Sequence, residues 1–331
     1  MSVISNVAAA LRTSNLPEGV EPDPISKWVV ITRASVFPMT FFAAAIGGLL
    51  AVSSGGAQFF PWLLAALGLL LAHASNNMMN DYFDLESGVD TPDYARALYA
   101  PHPILSGWVS KRELLQAILL VNAIDVAIAL YLTWLRGWPV PVFAFAGLFL
   151  SVFYVAPPLR FKHHGLGEPS VFLIWGPLMI AGSYFVTAGA LPGWVWAASV
   201  PYGILVTSVL FGKHIDKCAV DEAKGIHTLP VLLGAERARR VNQALMLGFF
   251  VFTAALVLAG VLSVWSLLVL GAVPRLLRVL KLYGEPPPEE PPKNYPVWPL
   301  WYVSAAFVVT RQAGALFALG LLLHVLWPLS L

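Results

Sequence analysis

The chain has 331 residues, of which 58% are hydrophobic and only 11% are charged. Soluble domains carry about 25% charged residues, so this composition excludes an ordinary soluble protein and predicts one that spans a lipid bilayer several times. The net charge of +2 is uninformative, and we expect no nucleic-acid partner. The single cysteine, Cys218, excludes a disulfide framework within the chain.

Residues 1–27 form a polar leading segment. They are too polar for a secretory signal peptide, and we expect a cytoplasmic segment that is partly helical. The rest of the chain, 28–331, is expected to form one transmembrane domain.

Apolar segments long enough to cross a bilayer, which takes ~17–25 residues as a helix, recur about nine times. The sequence therefore predicts an all-α membrane protein with about nine transmembrane helices, bundled around a cavity that opens to the cytoplasmic face. The segments are 34–53, 59–80, 114–134, 139–156, 168–188, 192–212, 241–262, 264–283 and 299–326.

The loops between these segments alternate in length and charge. Only Arg136 and Arg311 of the lysines and arginines lie away from the N-terminal segment, the long loops and the helix ends beside them. Because positively charged loops stay in the cytoplasm, we expect the N-terminus and the long loops on the cytoplasmic side of the cell (inner) membrane. The long loops are 81–113, 157–167, 213–240 and 284–298.

A polar stripe ends the second apolar segment. Asn77, Asn80, Asp81 and Asp84 stand at i, i+3, i+4 and i+7, so a continuing helix places them on one face. Carboxylate and amide oxygens are ligands that suit Mg²⁺. The alternative is a solvated loop with capping Asn and Asp residues, but polar groups at the mouth of a membrane helix are costly and usually functional.

A second acidic cluster follows the sixth apolar segment and contains Asp216 and Asp221. If the two clusters lie on one membrane face, they can hold two Mg²⁺ ions around a diphosphate and neutralise it as a leaving group. Basic residues are expected to complete the binding site, although each also fits the ordinary excess of cytoplasmic lysine and arginine. The candidates are Arg96, Lys111, Lys213 and Lys217.

Three polar residues lie inside apolar segments. Asp125 and Arg311 are expensive in lipid, so we expect both to face the bundle interior, paired with each other or with other groups. His73 stands one turn before Asn77 and is expected to be a satisfied core histidine rather than a site residue.

Several motifs resemble those of the UbiA-type intramembrane prenyltransferases. The first acidic segment, NDYFDLESGVD, looks like the form found in the branch that prenylates 1,4-dihydroxy-2-naphthoate for menaquinone. Similar segments follow the family's order, which makes the resemblance specific over about 30–235. They are TRASVFPMTFFAAAIGGLLA at 32–51, PILSGWVS at 103–110, YVAPPLRFKHHGLGEPSVFLIWGPLMIAGSYFV at 154–186 and DEAKGIHTLPVLLG at 221–234.

The resemblance implies an enzyme with Mg²⁺ as cofactor, a prenyl diphosphate donor and an aromatic acceptor. Loss of diphosphate gives an allylic cation, which the electron-rich acceptor ring attacks. On the matched motifs, the metal and diphosphate residues are Asn77, Asn80, Asp81, Asp84, Asp216 and Asp221. Tyr154 and Lys162 fall in the loop that covers the site, while Arg33, His163, His164 and Glu168 are candidates for the acceptor side.

The second motif departs from the family pattern. The family usually spaces its aspartates as DxxxD, whereas Asp216 and Asp221 read DxxxxD. Lys213 and Lys217 stand where polar or acidic residues are usual, so an ammonium group can replace one metal ion. His102 precedes Pro103 where an arginine is common.

Other functions stay open at this point. A secondary transporter needs polar groups and broken helices near the bilayer midplane, whereas these acids lie at helix ends. A membrane alcohol phosphatidyltransferase lacks its usual DGxxAR segment here, since DYAR at 93–96 is a poor match. Within the prenyltransferases, hydroxybenzoate, homogentisate, a chlorin, haem or a glycerol lipid are alternative acceptors.

Overall fold

The computed structural model describes residues 2–17, 19–293, 295 and 297–329. Regular secondary structure in these residues is helical, which confirms the predicted all-α class. The first half contains α1 (Val3–Thr13), α2 (Pro24–Ile31), α3 (Phe37–Ser53), α4 (Phe59–Glu86), α5 (Ala95–Tyr99), α6 (Lys111–Arg136) and α7 (Pro139–Phe153). The second half contains α8 (Gly167–Leu173), α9 (Gly182–Ala188), α10 (Trp194–Asp216), α11 (Cys218–Ala223), α12 (Leu229–Leu233), α13 (Ala235–Leu258), α14 (Val273–Tyr283) and α15 (Tyr302–Leu326).

Within the described residues, seven helical stretches are long and apolar enough to cross a membrane, so the chain is a multi-span membrane protein. They are α3 with the turn before it, α4, α6, the continuous helix Gly167–Ala188, α10, α13 and α15. The other two predicted segments are also helical but shorter or irregular. Segment 139–156 contains α7, and segment 264–283 consists of a 3₁₀ helix, Val264–Ala272, followed by α14.

Local sequence explains where helices begin and change character. Ser110 and Glu113 form a capping box at the start of α6, because the Ser110 hydroxyl accepts from the Glu113 amide and Glu113 accepts from the Ser110 amide. Between α8 and α9 the helix widens into a π-helical segment, Ile174–Ala181, which contains Pro177. Proline has no amide hydrogen, so it interrupts the regular hydrogen-bond ladder there.

α10 is the central helix of the bundle. It packs against the π-helical segment, α13 and α15. A Cβ atom on Gly176 would lie only 3.1 Å from the Gly203 Cα, so paired glycines let the π-helical segment approach α10 closely. The Tyr202 hydroxyl donates to the Met39 carbonyl at 2.9 Å, which ties α10 to α3.

The loops at one end of the bundle meet one another. The His227 amide donates to the His163 carbonyl at 3.2 Å, and the Lys224 ammonium donates to the Val89 carbonyl at 2.6 Å. The N-terminal helices pack on the same end, because the Asn15 side chain donates to the Tyr99 carbonyl at 3.4 Å. This end of the bundle therefore gathers the polar segments that the sequence singled out.

Candidate active site

Asp81 is completely buried at the polar end of α4 and binds two arginines. Arg96 forms a two-pronged ion pair with it, with Nε 3.0 Å from Oδ1 and Nη2 3.0 Å from Oδ2. The Arg33 Nη2 atom also donates to Asp81 Oδ1. Both carboxylate oxygens are thus occupied by guanidinium groups, and Asp81 holds two cations in fixed positions beside the site.

Asp84 lies one turn further along α4 and is also buried. Its Oδ2 atom accepts from the Lys162 ammonium at 2.6 Å, while Oδ1 has no hydrogen-bond partner. Lys162 reaches this position from the short 3₁₀ turn Phe161–His163. An unpaired buried carboxylate oxygen is costly, so Asp84 has capacity for a further cation.

Asp90 and His102 join this cluster, although the sequence analysis did not place them in the site. Gly88 adopts a positive φ of 72°, and the Asp84 carbonyl accepts from the Asp90 amide at 3.0 Å. This turn folds Asp90 back toward the end of α4, where its Oδ2 lies 3.3 Å from His102 Nε2. One ligand atom each of Asp81, Asp90 and His102 lies within 4.8 Å of the others. The Gly-Val-Asp sequence after α4 was the feature of the sequence that could have indicated a turn bringing Asp90 to the site.

Asp221 forms the second cluster with Tyr94 and Lys217. The Tyr94 hydroxyl donates to Asp221 Oδ1, and the Lys217 ammonium lies 3.4 Å from the same oxygen. Lys217 also lies 4.4 Å from the centre of the Tyr94 ring, a cation–π contact. Burial raises the pKa of Asp221, but Lys217 and nearby cations outweigh it and hold that pKa below its usual value. Burial lowers the pKa of Lys217, and Asp221 opposes this shift.

Asp216 occupies a different place from the one the sequence predicted. Its Oδ1 accepts from the Tyr302 amide at 2.8 Å and its Oδ2 accepts from the Val303 amide at 2.9 Å. The carboxylate therefore caps the first turn of α15. Because both oxygens are used there, we remove Asp216 from the expected metal ligands.

Lys111 and His164 also lie away from the site, against the sequence prediction. Lys111 pairs with Glu86 at an exposed position, and His164 is exposed. His163 is half-buried and meets His227 through its backbone carbonyl. Burial and the neighbouring cations lower the pKa of His163 to about 4.

The three polar residues inside the apolar segments lie in different environments. Asp125 is half-buried and lines the large cavity described below. Arg311 is exposed and lies over the Phe307 ring, so the expectation that it faces the interior is wrong. His73 is buried and lies 2.8 Å from the Thr40 hydroxyl through Nδ1, which satisfies it as expected, although it also lines the cavity.

Tyr154, His214 and Glu168 form a buried chain beside these clusters. The Tyr154 hydroxyl lies 3.4 Å from His214 Nε2, and His214 Nδ1 lies 2.6 Å from Glu168 Oε1. Burial and the Glu168 carboxylate raise the pKa of Tyr154 well above its usual value, so its phenol stays protonated. The sequence analysis named Tyr154 and Glu168 but not His214, which adjoins the singled-out Lys213.

Two neighbouring spaces lie among these residues. A small polar chamber is walled by Asp84, Asp90, Lys162, Lys217 and their neighbours. A cavity of about 480 Å³ runs between α3, α4, α6, α7 and the π-helical segment, and its walls are mostly apolar. The residues that line both spaces are Arg33, Asn80, Tyr99, Tyr154 and Lys213.

Lys213 and Asn77 differ in the spaces they line and in their hydrogen bonding. Lys213 has no hydrogen bond or ion pair with any described residue and borders both spaces. Asn77 lines the large cavity, and its amide nitrogen donates to the Thr32 carbonyl at 2.9 Å. The predicted stripe of α4 thus faces one site, with a polar head space and an apolar extension.

The oxygen atoms around the polar chamber fit a hard divalent cation. Asn80 Oδ1, Asp84 Oδ1 and Asp90 Oδ1 belong to residues that line the chamber, and each is buried without a hydrogen-bond partner. Asp221 Oδ2 is likewise unpaired, and Asp221 contacts Lys217 of the chamber wall. Carboxylate and amide oxygens are the ligands that Mg²⁺ takes in proteins. Buried polar atoms normally have partners, so this group of unpaired acceptors is the observation that favours a cation.

The sequence matches the model of the UbiA prenyltransferase family over residues 40–298. The chain belongs to this family. It is 28% identical over 254 residues to a 1,4-dihydroxy-2-naphthoate octaprenyltransferase of Escherichia coli, a match that covers 76% of this chain and 82% of the relative. The protein is therefore a prenyltransferase, as its motifs predicted.

Solved structures of UbiA homologues share the fold. The apo homologue from Aeropyrum pernix superposes with a TM-score of 0.66 at 18% identity, over 87% of this chain and 98% of the homologue. The Archaeoglobus fulgidus homologue bound to GPP and Mg²⁺ gives a TM-score of 0.56 at 16% identity, over 90% of this chain and 99% of that one. At such low identity these likenesses establish the UbiA fold.

Proposed function

We propose that this UbiA prenyltransferase transfers an isoprenyl group from a prenyl diphosphate to 1,4-dihydroxy-2-naphthoate. The observation that supports it most strongly is the polar chamber that shares five wall residues with an apolar cavity of about 480 Å³. A prenyl diphosphate has the same division, with a trianionic head and a hydrocarbon tail. A solute with only one of these properties would leave half of the site unmatched.

The diphosphate head belongs in the polar chamber. Five cationic side chains and two carboxylates line it, and two further carboxylates pair with these cations. This excess of cations suits a trianion. The cations are Arg33, Arg96, Lys162, Lys213 and Lys217, and the carboxylates are Asp81, Asp84, Asp90 and Asp221. Arginine offers two parallel donors to phosphate oxygens, whereas lysine acts as a point charge.

Mg²⁺ belongs beside the same head group. Asn80, Asp84 and Asp90 at the first cluster and Asp221 at the second would offer their unpaired oxygens to Mg²⁺, which would supply charge neutralisation for the departing diphosphate. Asp81 acts by orienting Arg33 and Arg96 rather than as a freely available ligand. Lys217 approaches Asp221 at 3.4 Å, so an ammonium group already provides part of the positive charge at the second cluster.

The reacting carbon lies at the junction of the two spaces. When the C–O bond to diphosphate breaks, the leaving group keeps the electron pair and the allylic carbon becomes cationic. Tyr154 borders this junction, and an aromatic ring favours positive charge near its face. The acceptor ring then forms the new C–C bond, in a space whose apolar walls limit capture of the cation by water.

The acceptor assignment rests on the E. coli relative and on the motif pattern. A carboxylated ring requires a cation, and Arg33 borders both spaces with its Nε unpaired. Arginine is suited to bidentate carboxylate recognition. We infer further that the long loops and this site face the cytoplasm, because the basic residues gather at that end.

The experiment is an assay of purified protein with Mg²⁺ and geranylgeranyl diphosphate. The acceptor panel contains 1,4-dihydroxy-2-naphthoate, 4-hydroxybenzoate and homogentisate, each measured with and without EDTA. EDTA-sensitive formation of prenylated naphthoate supports the full proposal. Turnover of another acceptor alone refutes the naphthoate assignment, and Mg²⁺-independent turnover refutes the proposed metal site.

A further inference from the structure

A buried chain of side chains leads from the junction of the two spaces into the protein interior. Tyr154 borders both spaces, His214 borders only the polar chamber, and Glu168 lies behind them. His214 is 1% exposed and Glu168 is 2% exposed. The diphosphate chemistry above uses the aromatic face of Tyr154 but leaves its hydroxyl, the imidazole and the carboxylate without a role.

The contacts indicate in which direction a proton can move along these three side chains. The 2.6 Å contact between His214 Nδ1 and the Glu168 carboxylate places the imidazole proton on Nδ1. His214 Nε2 is then an acceptor, and the Tyr154 hydroxyl is the donor that faces it at 3.4 Å. The chain is therefore oriented to carry a proton inward, from the junction to the imidazole.

The packing around Gly167 maintains this arrangement. A Cβ atom at Gly167 would lie 3.1 Å from Tyr154 Cε2 and 3.5 Å from the Tyr154 hydroxyl oxygen. Glycine at this position therefore lets the Tyr154 ring pack against the start of α8. The next residue is Glu168, so the same turn that receives the ring also supplies the carboxylate.

Prenylation of a hydroxylated ring releases a proton. When the ring carbon bonds to the allylic carbon, positive charge develops on the ring and its hydroxyl. Loss of the hydroxyl proton gives a neutral dienone. The ring C–H bond then breaks and the O–H bond is restored by tautomerisation, so the aromatic product forms with the net release of one proton. Tyr154 borders the junction and its hydroxyl faces an imidazole nitrogen, so it is placed to take up this proton.

We propose that Tyr154, His214 and Glu168 form the proton relay that deprotonates the acceptor's ring hydroxyl. The acceptor proton moves to the Tyr154 oxygen as the Tyr154 proton moves to His214 Nε2, and Glu168 stabilises the imidazolium. In the same reaction the C–O bond breaks, diphosphate leaves with the electron pair, and the C–C bond forms. Tyr154 is the catalytic residue, while His214 and Glu168 are positioning residues. This inference rests on the proposed function.

The test uses a series of acceptors whose ring hydroxyls differ in acidity, assayed at one fixed pH. The variants are Tyr154→Phe, His214→Asn and Glu168→Gln, with Tyr131→Phe and Glu285→Gln as matched controls on exposed side chains. For a phenol-like acceptor with a pKa of about 10, we expect kcat to fall about 10²–10⁴-fold. For acceptors already ionised at the assay pH, we expect kcat within about threefold of the wild type, because no proton remains to be removed.

Two further measurements separate this role from structural damage. Hydrolysis of the donor without an acceptor needs no ring deprotonation, so His214→Asn and Glu168→Gln should lose much less of this rate than of transfer to the phenol-like acceptor. The controls Tyr131→Phe and Glu285→Gln should keep both rates, and His214→Gln replaces His214→Asn if that variant does not fold. Equal losses across the acceptor series, an equal loss of donor hydrolysis and transfer, or wild-type rates with the weakly acidic acceptor would overturn the relay. A wild-type enzyme inactive with every acceptor would instead overturn the proposed function.

Discussion

The pairing of Asp81 with Arg33 and Arg96 makes Asp81→Ala a test of stability as well as of catalysis. The carboxylate is 0% exposed and both partner side chains, Arg33 and Arg96, are buried. Removing one member of a buried ion pair leaves uncompensated charge and costs about 3–5 kcal/mol. Here two guanidinium groups lose their partner together, so we expect the upper part of that range.

Such a loss is measurable as a shift of the thermal midpoint. We expect Asp81→Ala to lower the melting temperature of the detergent-purified protein by on the order of 5–10 °C. The control is Glu236→Ala, which breaks an ion pair with Arg240 whose side chains are 69% and 73% exposed. Exposed pairs at i,i+4 contribute only about 0.3–0.5 kcal/mol, so that variant should melt within about 1 °C of the wild type.

Adding a non-hydrolysable prenyl diphosphate gives a second reading of the same variant. The freed guanidinium groups still face the polar chamber, and diphosphate oxygens can replace the lost carboxylate. We therefore expect the ligand to raise the melting temperature of Asp81→Ala more than that of the wild type. Equal melting temperatures for Asp81→Ala and Glu236→Ala would refute the assignment of Asp81 as the anchor of both arginines.

Three other predictions use different parts of the structure. Lys213→Ala and Lys217→Ala should each weaken binding of a non-hydrolysable donor about 10–150-fold in calorimetry, since charged hydrogen bonds contribute about 1.5–3 kcal/mol; unchanged affinity would assign these lysines to topology alone. Gly147→Phe should project into the large cavity, where nothing lies within 4 Å of the added Cβ, and shift the preferred donor toward shorter chains in a competition assay. The Ser26 amide and other donors hold the pKa of Asp23 at about 2, below its usual 3.8. The Asp23 cap on α2 should therefore persist above pH 3.8 and be lost as the pH falls through about 2. Hydrogen exchange of the α2 amides should accelerate between these pH values, and in Asp23→Ala it should be fast at every pH.

Hydropathy and motif spacing carried most of the fold and the enzyme class. Long apolar segments specify helices in a bilayer because every backbone group must find a partner within the segment. The stripe on α4 was predictable for the same reason, since a continuous helix fixes which side chains share a face. The sequence therefore located the first acidic cluster, and Asn80, Asp81 and Asp84 all border or support the polar chamber.

The positions that the sequence did not predict correctly depend on where helices end and how the chain turns there. α10 stops at Asp216, so its carboxylate turns toward α15 while Asp221 lies in α11 on the other side of the break. Asp90 enters the site because of a left-handed turn at Gly88, which spacing along a helix does not describe. His214 was missed because its partner Glu168 is distant in sequence, and only the packing of α8 on α10 brings them together.

The cap that Asp216 provides for α15 makes the site depend on a helix that contributes no residue to the reaction. Asp216 directly precedes Lys217, and its carboxylate is satisfied by amides more than eighty positions later in the chain. If the last span were deleted, a carboxylate would be left without partners next to Lys217, for which we propose diphosphate binding. The last helix, α15, supplies no side chain to the polar chamber. Its first amides bind Asp216 and so fix the position of the end of α10. A shortened chain should lose donor binding even with every site residue intact.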